Sequence, residues 1–208
     1  MKLYYSPGAC SLSPNIVARE AGIALDLVKV DLGAKKIAVD GDYLALNPKG
    51  YVPALQLEDG SILTEGPAIV QYLGDRKPES GLVPANGTPE RYRMQEMLGY
   101  INSEIHKTYS PLFNPETPAA TVEDRKAHLK KRYKLLDDRL AGRQYLFGDK
   151  FSAADAYLFT VTNWAGYVKL DLSEYANLAA FQKRVSARPA VQEAMRAEKQ
   201  EKQEKQAA

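Results

Sequence analysis

The sequence of 208 residues contains a single cysteine, a single tryptophan and two histidines. One cysteine excludes an intrachain disulfide and a zinc site built from several thiolates, and it is typical of a protein from a reducing compartment. We therefore expect no metal site. The cysteine, Cys10, is either reactive or simply packed as a small apolar residue.

Long apolar runs and a strong charge bias are also absent. The N-terminal residues have no apolar core long enough for a signal peptide, and no later run reaches transmembrane length, so we expect a cytoplasmic protein. The 28 basic and 26 acidic residues give a net charge of +2, which does not indicate nucleic acid or an anionic membrane as a partner. The chain is long enough for one large or two small domains.

The order of predicted elements indicates an α/β N-terminal part followed by an all-α C-terminal part. Period-two and helical patterns predict a four-stranded mixed sheet with two main helices, in the order strand 2–6, helix 11–21, strand 25–30, hairpin 54–57 and 61–64, and helix 67–73. Prolines and glycines are dense between residues 74 and 89, which suggests domains at 1–80 and 87–208. Helices are expected at 89–109, 121–140, 153–168, 178–187 and 190–199.

Two further features of the C-terminal part are structural. Ser152 and Asp155 have the spacing of a capping box, and Phe151 with Ala156 fits a hydrophobic staple, so a helix should begin at Ala153. The tail from about residue 198 repeats Glu-Lys-Gln, and we expect a charged, solvated extension that frays.

Cys10 follows the first strand through a Pro-Gly turn and precedes a helix. A helix start lowers the pKa of a thiol, so this position favours a reactive thiolate over a packed one. Ser13 stands where a dithiol redox motif would have its second cysteine, so a resolving thiol is missing. The pattern thus favours a site that holds a thiol cofactor.

The stretch from Gly50 to Leu73 carries the second set of candidates. Residue types alone favour a trans bond at Val52-Pro53, whereas a cis bond would leave the Val52 backbone groups able to pair with an extended peptide. Farther on, Glu65, Gly66 and Pro67 form a helix start suited to an anion, and the Glu65 carboxylate could hold an amine.

His106 is the third candidate, on the predicted helix 89–109. It shares a small polar face with Gly99, Asn102 and Ser103, which suits the wall of a cleft, although a lone histidine is more often a surface or structural residue. Three nearby aromatics suit either a pocket for an apolar substrate or core packing, namely Tyr109, Phe113 and Trp164.

Taken together, these motifs resemble those of bacterial β-class glutathione transferases over nearly the whole chain, from about residue 1 to 199. The resemblance is carried by Met-Lys-Leu-Tyr-Tyr-Ser-Pro-Gly-Ala-Cys-Ser-Leu at the N-terminus, Asn47-Pro-Lys-Gly-Tyr-Val-Pro-Ala-Leu, Leu63-Thr-Glu-Gly-Pro-Ala-Ile, His106-Lys107 and Ser152-Ala-Ala-Asp155. It implies a thioredoxin-like N-terminal domain, an all-helical C-terminal domain and a homodimer that uses glutathione as co-substrate.

The resemblance also implies roles for individual residues. Cys10 matches a cysteine that contacts the glutathione sulfur, Val52 precedes a cis-proline that matches Pro53, and Glu65 with Gly66 matches the γ-glutamyl site. Ser11 and His106 join Cys10 as candidate catalytic residues. The assigned glutathione-binding residues are Tyr5, Cys10, Lys35, Val52, Pro53, Glu65, Gly66, Ser103, His106 and Lys107, and the substrate pocket is assigned to Tyr109, Phe113 and Trp164.

One position departs from the resemblance. Many relatives have an asparagine that reaches glutathione from the other subunit, where this chain has Gly99, and one lost hydrogen bond costs about 1 kcal/mol. The main hypothesis is conjugation of glutathione to apolar electrophiles in detoxification. The alternatives are monothiol disulfide exchange through Cys10 and a non-catalytic binding or regulatory protein with the same fold.

Overall fold

A computed structural model describes residues 1–37 and 41–204, and these form two compact units. The first unit contains Met1–Val83 together with the segment from Arg188 onward, and the second contains Pro84–Ala187. The last helix thus groups with the N-terminal unit, although it follows the helical region in sequence. The domain limits 1–80 and 87–208 stay a prediction.

The first unit contains a mixed sheet, helices and short connections. Its strands are β1 (Lys2–Tyr5), β2 (Asp26–Asp31), β3 (Lys36–Ile37), β4 (Gly41–Asp42), β5 (Ala54–Gln56) and β6 (Ile62–Thr64). Its helices are α1 (Leu12–Glu20), α2 (Tyr43–Leu46), α3 (Gly66–Asp75), a 3₁₀ turn at Pro78–Ser80 and, after the second unit, α10 (Pro189–Glu204).

The sheet has the strand order β4-β3-β2-β1-β5-β6. Only β1 and β2 pair in parallel, and the other described pairs are antiparallel. The prediction of a four-stranded sheet is therefore wrong in strand number: the described residues form six strands. The additional strands, β3 and β4, have two residues each, which is too short for an alternating pattern to identify them.

Apolar residues on β1 and β5 hold this unit together. Leu3 pairs with Leu55 in the antiparallel register, and both side chains are fully buried. On the helical side, α1 packs against α3 and α10. A second cluster of buried residues forms around Tyr4, Val30, Tyr43, Val52 and Ala54, and it packs the loop before β5 against the sheet.

Gly74, near the C-terminal end of α3, is required by packing. A Cβ atom there would overlap the Val83 side chain and lie 2.8 Å from its Cβ, whereas a Cβ at Gly99 would meet nothing within 4 Å. We expect Gly74→Ala to lower the free energy of unfolding by about 1 to 3 kcal/mol through overpacking. Gly99→Ala is expected to raise it by up to about 1 kcal/mol, because alanine favours a helix over glycine.

Urea denaturation of the two variants measures these opposite effects of the same chemical change. A loss of stability in Gly99→Ala equal to that in Gly74→Ala would contradict the packing explanation. The open space at Gly99 also shows that packing within the described chain does not require glycine there.

The second unit is helical. Its elements are α4 (Pro89–Tyr100), a π-helix (Ile101–His106), α5 (Lys107–Tyr109), a 3₁₀ turn (Ser110–Phe113), α6 (Ala119–Leu140), α7 (Ala153–Thr162), α8 (Trp164–Tyr167) and α9 (Ala176–Ser186). The predicted uninterrupted helix 89–109 is therefore wrong between Ile101 and His106, where the helix widens. The predicted α/β part followed by helices is otherwise confirmed.

The start of α7 is fixed by one buried carboxylate. Asp155, which is 0% exposed, accepts hydrogen bonds from the Ser152 backbone N–H at 2.8 Å and from its Oγ at 2.6 Å. Its other oxygen accepts the Leu146 N–H at 2.8 Å. The predicted capping box is confirmed, and it also ties the preceding loop to the helix.

The C-terminal segment differs from the expected solvated tail. Glu198 on α10 is only 3% exposed, and its Oε2 accepts the Gly8 N–H at 3.0 Å. Immediately before the same helix, Arg188 forms a bidentate ion pair with Glu20 at 2.6 and 2.7 Å. The helix is thus anchored to the first unit, and residues 205–208 of the predicted tail lie outside the described residues.

Within the described residues, no helix is long and apolar enough to cross a membrane.

Candidate active site

The residues assigned to the site fall into two sets, one in each compact unit. The first unit contains Tyr5, Cys10, Ser11, Lys35, Val52, Pro53, Glu65 and Gly66. The second contains Ser103, His106, Lys107, Tyr109, Phe113 and Trp164.

Cys10 lies in the turn that joins β1 to α1. The turn is closed by the Ala9 N–H, which donates to the Ser6 carbonyl at 3.0 Å. Ser11 is fully buried, and its Oγ accepts the Ser6 N–H and donates to the Ser6 carbonyl, both at 3.2 Å. The Ser11 hydroxyl thus fixes the turn that presents Cys10, and its catalytic assignment stays a prediction.

The Cys10 thiol is held in its neutral form. Burial raises its pKa to about 12, the Cys10 and Ser11 N–H groups lower it, and the negative charges of Glu65 and Glu198 raise it further. The Sγ donates to the Val52 carbonyl at 3.1 Å, which a thiolate could not do. The predicted thiolate is therefore wrong for this structure, because desolvation exceeds the effect of the helix start.

The Val52-Pro53 bond is cis. This agrees with the resemblance, whereas the preference for trans from residue types alone is wrong. The loop before it is fixed by the Tyr51 carbonyl, which accepts the Tyr43 hydroxyl at 2.7 Å and the Asn47 side-chain N–H at 2.8 Å. Val52 itself is 7% exposed, and its carbonyl accepts the Cys10 thiol.

Lys35 supports the same loop. Its Nζ donates to the Gly50 carbonyl at 2.8 Å and lies 5.6 Å from the centroid of the Tyr51 ring. The backbone of Lys35 has a positive φ of 56°. The structure therefore uses this side chain to hold the loop, and its assignment to glutathione stays a prediction.

Glu65 precedes α3 and is exposed, with a positive φ of 71°. Its carbonyl accepts the N–H groups of Ala68 and Ile69, both at 3.0 Å, as the residue before a helix does. Its carboxylate pairs with Lys49, whose Nζ lies 2.7 Å from Oε1 and also donates to Thr64 Oγ1 at 2.9 Å. Sequence reasoning missed Lys49, although it lies inside the Asn47-Pro-Lys-Gly motif.

Tyr5 is the residue of the first set that is least suited to its assignment. It is fully buried at the end of β1, and it pairs with Lys29 across the parallel ladder. Its side chain therefore belongs to the core of the first unit. Gly66, in contrast, is the first residue of α3, one position earlier than the sequence predicts for the helix start.

In the second unit, the π-helical segment places His106 in a polar network. Its Nδ1 lies 2.5 Å from the Tyr157 hydroxyl, which donates to Asn102 Oδ1 at 2.9 Å. Tyr157 is 1% exposed on α7. Nothing in the sequence pattern signals that the Tyr157 hydroxyl meets His106.

The three predicted pocket aromatics lie together. The Trp164 ring meets Tyr109 and Phe113 edge-on, each at 5.6 Å between centroids, and Tyr109 stacks on Phe113 at 6.3 Å. His106 lies against Trp164 at 4.8 Å. Tyr109 is fully buried and Phe113 is 49% exposed, so the cluster reaches from the core to the surface.

Ser103 and Lys107 are both exposed on the segment that carries His106. The Ser103 hydroxyl donates to the Gly99 carbonyl at 3.1 Å, within its own helix. The assignment of Ser103 and Lys107 to glutathione stays a prediction.

Among the described residues, no group of three or more acidic, histidine or cysteine side chains is arranged to hold a metal ion.

Comparison with known protein families identifies both parts of the chain. Residues 8–76 match the model of the glutathione S-transferase N-terminal domain, and residues 100–189 match that of the C-terminal domain. Glutathione S-transferase GstA of Escherichia coli O157:H7 is 46% identical over 198 residues, which cover 95% of this chain and 98% of that protein.

Solved structures agree with this assignment. A sphingomonad glutathione S-transferase complexed with glutathione and the β-class enzyme of Sphingomonas chungbukensis each superpose with a TM-score of 0.92 and 44% identity. Each match covers 95% of this chain and 98% of the other. The predicted thioredoxin-like sheet is thereby confirmed, and the chain belongs to the glutathione S-transferase family, whose bacterial β class is among its relatives of known structure.

Proposed function

We propose that this protein transfers the glutathione thiolate to an electrophilic carbon of a small apolar substrate, in detoxification. The thiol would give its proton to a base, the thiolate would form the new S–C bond, and a leaving group such as chloride would depart with its bonding electrons. Catalysis would come from positioning of the thiol and stabilisation of its anion. We further propose that the protein acts as a homodimer in the cytoplasm.

The observation that carries this proposal is the arrangement around the Val52 backbone. The Val52 carbonyl oxygen lies 3.1 Å from the Cys10 Sγ, and Glu65 precedes α3 in the same unit. Backbone groups of this kind pair with an extended peptide, while a helix start and a carboxylate suit its charged termini. The relative complexed with glutathione, at 44% identity, supports the same ligand here.

Lys49 fixes the carboxylate that would bind the amino group of glutathione. It already neutralises one oxygen of Glu65 at 2.7 Å, and it is itself anchored on Thr64. The amine of glutathione would therefore meet a carboxylate that is held in place before binding. The aromatic cluster of Tyr109, Phe113 and Trp164 supports an apolar second substrate.

The state of Cys10 weighs against the alternative of monothiol exchange. A thiol with a pKa of about 12 has almost no thiolate at neutral pH, and the thiolate is the nucleophile in exchange. The proposal therefore gives Cys10 a role in holding the glutathione sulfur by hydrogen bonding rather than a covalent role.

Calorimetric titration with reduced glutathione, for the wild type and Cys10→Ala, tests the proposal. We expect both to bind, with a difference below about 1 kcal/mol, the size of one ordinary hydrogen bond. Conjugation to a nitro-substituted aryl chloride, followed by absorbance, should proceed in the wild type and continue in Cys10→Ala at a reduced rate.

Three results would change this conclusion. Absence of glutathione binding by the wild type would support the non-catalytic binding or regulatory protein. Binding lost entirely in Cys10→Ala would contradict the role given to Cys10, because one ordinary hydrogen bond contributes only about 1 kcal/mol. Binding without conjugation of any electrophile tested would also contradict the transferase proposal.

A further inference from the structure

We propose that Tyr157, oriented by Asn102, holds His106 in the tautomer that carries its proton on Nδ1, so that Nε2 is the basic nitrogen. Tyr157 would thus be a positioning residue, acting through His106. The role of His106 Nε2 as a base in the reaction rests on the proposed function. The tautomer itself is a property of the second unit and can be measured separately.

The direction of the hydrogen bonds carries the argument. A tyrosine hydroxyl has one proton to donate, and the Tyr157 hydroxyl donates it to Asn102 Oδ1 at 2.9 Å. The same oxygen lies 2.5 Å from His106 Nδ1, where it has only a lone pair to offer. Nδ1 must therefore be the donor, and in a neutral imidazole the lone pair then belongs to Nε2.

The local fold keeps these three groups in place. Asn102 and His106 are four residues apart on the π-helix Ile101–His106, and both reach the hydroxyl of Tyr157, which is 1% exposed on α7. Single-turn π segments are often found at functional sites. The His106 ring also meets Trp164 edge-on at 4.8 Å and Tyr157 at 5.8 Å, which fixes the plane of the ring.

This tautomer suits the proposed proton transfer. A general base needs a lone pair, and a thiol proton accepted at Nε2 would give an imidazolium with a proton on each nitrogen and leave a thiolate. The Tyr157 oxygen would stabilise the imidazolium by accepting from Nδ1, and the proton on Nε2 would later leave to solvent. A histidine with the opposite tautomer would present an N–H at Nε2 and could not accept that proton.

Nitrogen-15 NMR of the histidine ring measures the tautomer directly. The chain has two histidines, so a His128→Gln background leaves His106 as the single histidine signal. In this background we expect the Nδ1–H form. Adding Tyr157→Phe should convert a large part of the population to the Nε2–H form, and Asn102→Ala, at an exposed position, should shift it in the same direction.

Kinetics then connect the tautomer to the reaction. We expect Tyr157→Phe to lower kcat by about 10-fold, part of the 10²- to 10⁴-fold typical of general base catalysis, with little change in the KM for glutathione. The acidic limb of the pH profile, where the base becomes protonated, should move as well. The matched control is Tyr133→Phe, a buried tyrosine whose hydroxyl lies 3.0 Å from that of Tyr109, which should leave the His106 spectrum unchanged.

Two results would overturn the inference. One is an Nε2–H tautomer in the parent protein, or a tautomer that neither Tyr157→Phe nor Asn102→Ala alters. The other is a converted tautomer with unchanged kcat, which would remove Tyr157 from the reaction. Glutathione titration of the same variants separates these results from failure of the proposed function, because the tautomer is read without glutathione.

Discussion

Asp155→Asn is expected to lower the free energy of unfolding by about 3 kcal/mol, and Asp155→Ala to lower it by about 4 to 5 kcal/mol. The effects are large because each hydrogen bond to a charged group contributes roughly 1.5 to 3 kcal/mol. The carboxylate is 0% exposed and accepts three hydrogen bonds, from the Leu146 N–H, the Ser152 N–H and the Ser152 hydroxyl. This one side chain therefore joins the loop at Leu146 to the start of α7.

The asparagine variant tests the charge rather than the shape. An amide replaces one acceptor oxygen with an NH₂ group, which would then face either the Leu146 N–H or the two Ser152 donors. A buried donor left facing another donor costs the desolvation of both groups. The alanine variant loses all three hydrogen bonds and leaves the donors unsatisfied, so its effect should be larger.

Thermal unfolding followed by circular dichroism measures the effect. A loss of about 3 kcal/mol corresponds to a decrease in Tm of roughly 10 °C for a chain of this size. Asp138→Asn is the matched control, because Asp138 is an exposed carboxylate paired with Lys134 at 2.6 and 2.7 Å, and such pairs contribute less than about 1 kcal/mol. Equal effects in the two variants would contradict the role assigned to Asp155.

The helix start at Ala153 could be predicted from sequence because its determinants are local. Ser152 and Asp155 are three residues apart, and their spacing alone specifies the capping box. The same holds for the hairpin of β5 and β6, where Gly60 supplies the positive φ of 85° that the turn requires. Short-range spacing of this kind needs no knowledge of the tertiary structure.

Features that depend on distant residues could not be predicted in this way. The strands β3 and β4 are too short to show periodicity, and the π-helix has the same apolar stripe as an α-helix. The contact between His106 and Tyr157 joins residues 51 positions apart. The neutral state of Cys10 likewise depends on burial and on Glu65 and Glu198, which the local sequence around Cys10 does not contain.

Glu198 shows this most clearly, because its repeat Glu-Lys-Gln suggests a solvated tail while the structure buries it. Burial raises its pKa from 4.5 to about 7, although the Gly8 N–H, the Asn15 side chain and Arg19 favour the charged form. The Asn15 Nδ2 nevertheless makes no hydrogen bond of ordinary length within the described residues, nor does the second Glu198 oxygen. The effect of desolvation on the pKa of Glu198 therefore exceeds that of the three groups that favour its charged form.

A pH-dependent stability follows from this raised pKa. Between pH 4.5 and pH 7 the folded protein keeps a proton on Glu198 that the unfolded chain has released, so stability falls as pH rises through this window. The stabilising proton is fully present below pH 4.5 and lost above pH 7. A difference of 2.5 pKa units, from 7 − 4.5, corresponds to about 3 kcal/mol.

Urea denaturation of the wild type and Glu198→Gln from pH 4.5 to pH 8 isolates this contribution. The Glu198→Gln variant has no titrating carboxyl at this position, so its stability relative to the wild type should improve by about 3 kcal/mol as pH rises. Glu193→Gln, on the same helix, is the matched control: Glu193 is exposed and pairs with Arg19 at 3.5 Å, a contact too exposed to contribute much. If the difference in unfolding free energy between the wild type and Glu198→Gln stayed constant with pH, Glu198 would titrate as a solvated carboxyl. The helix α10 would then hold the Cys10 turn without a buried charge.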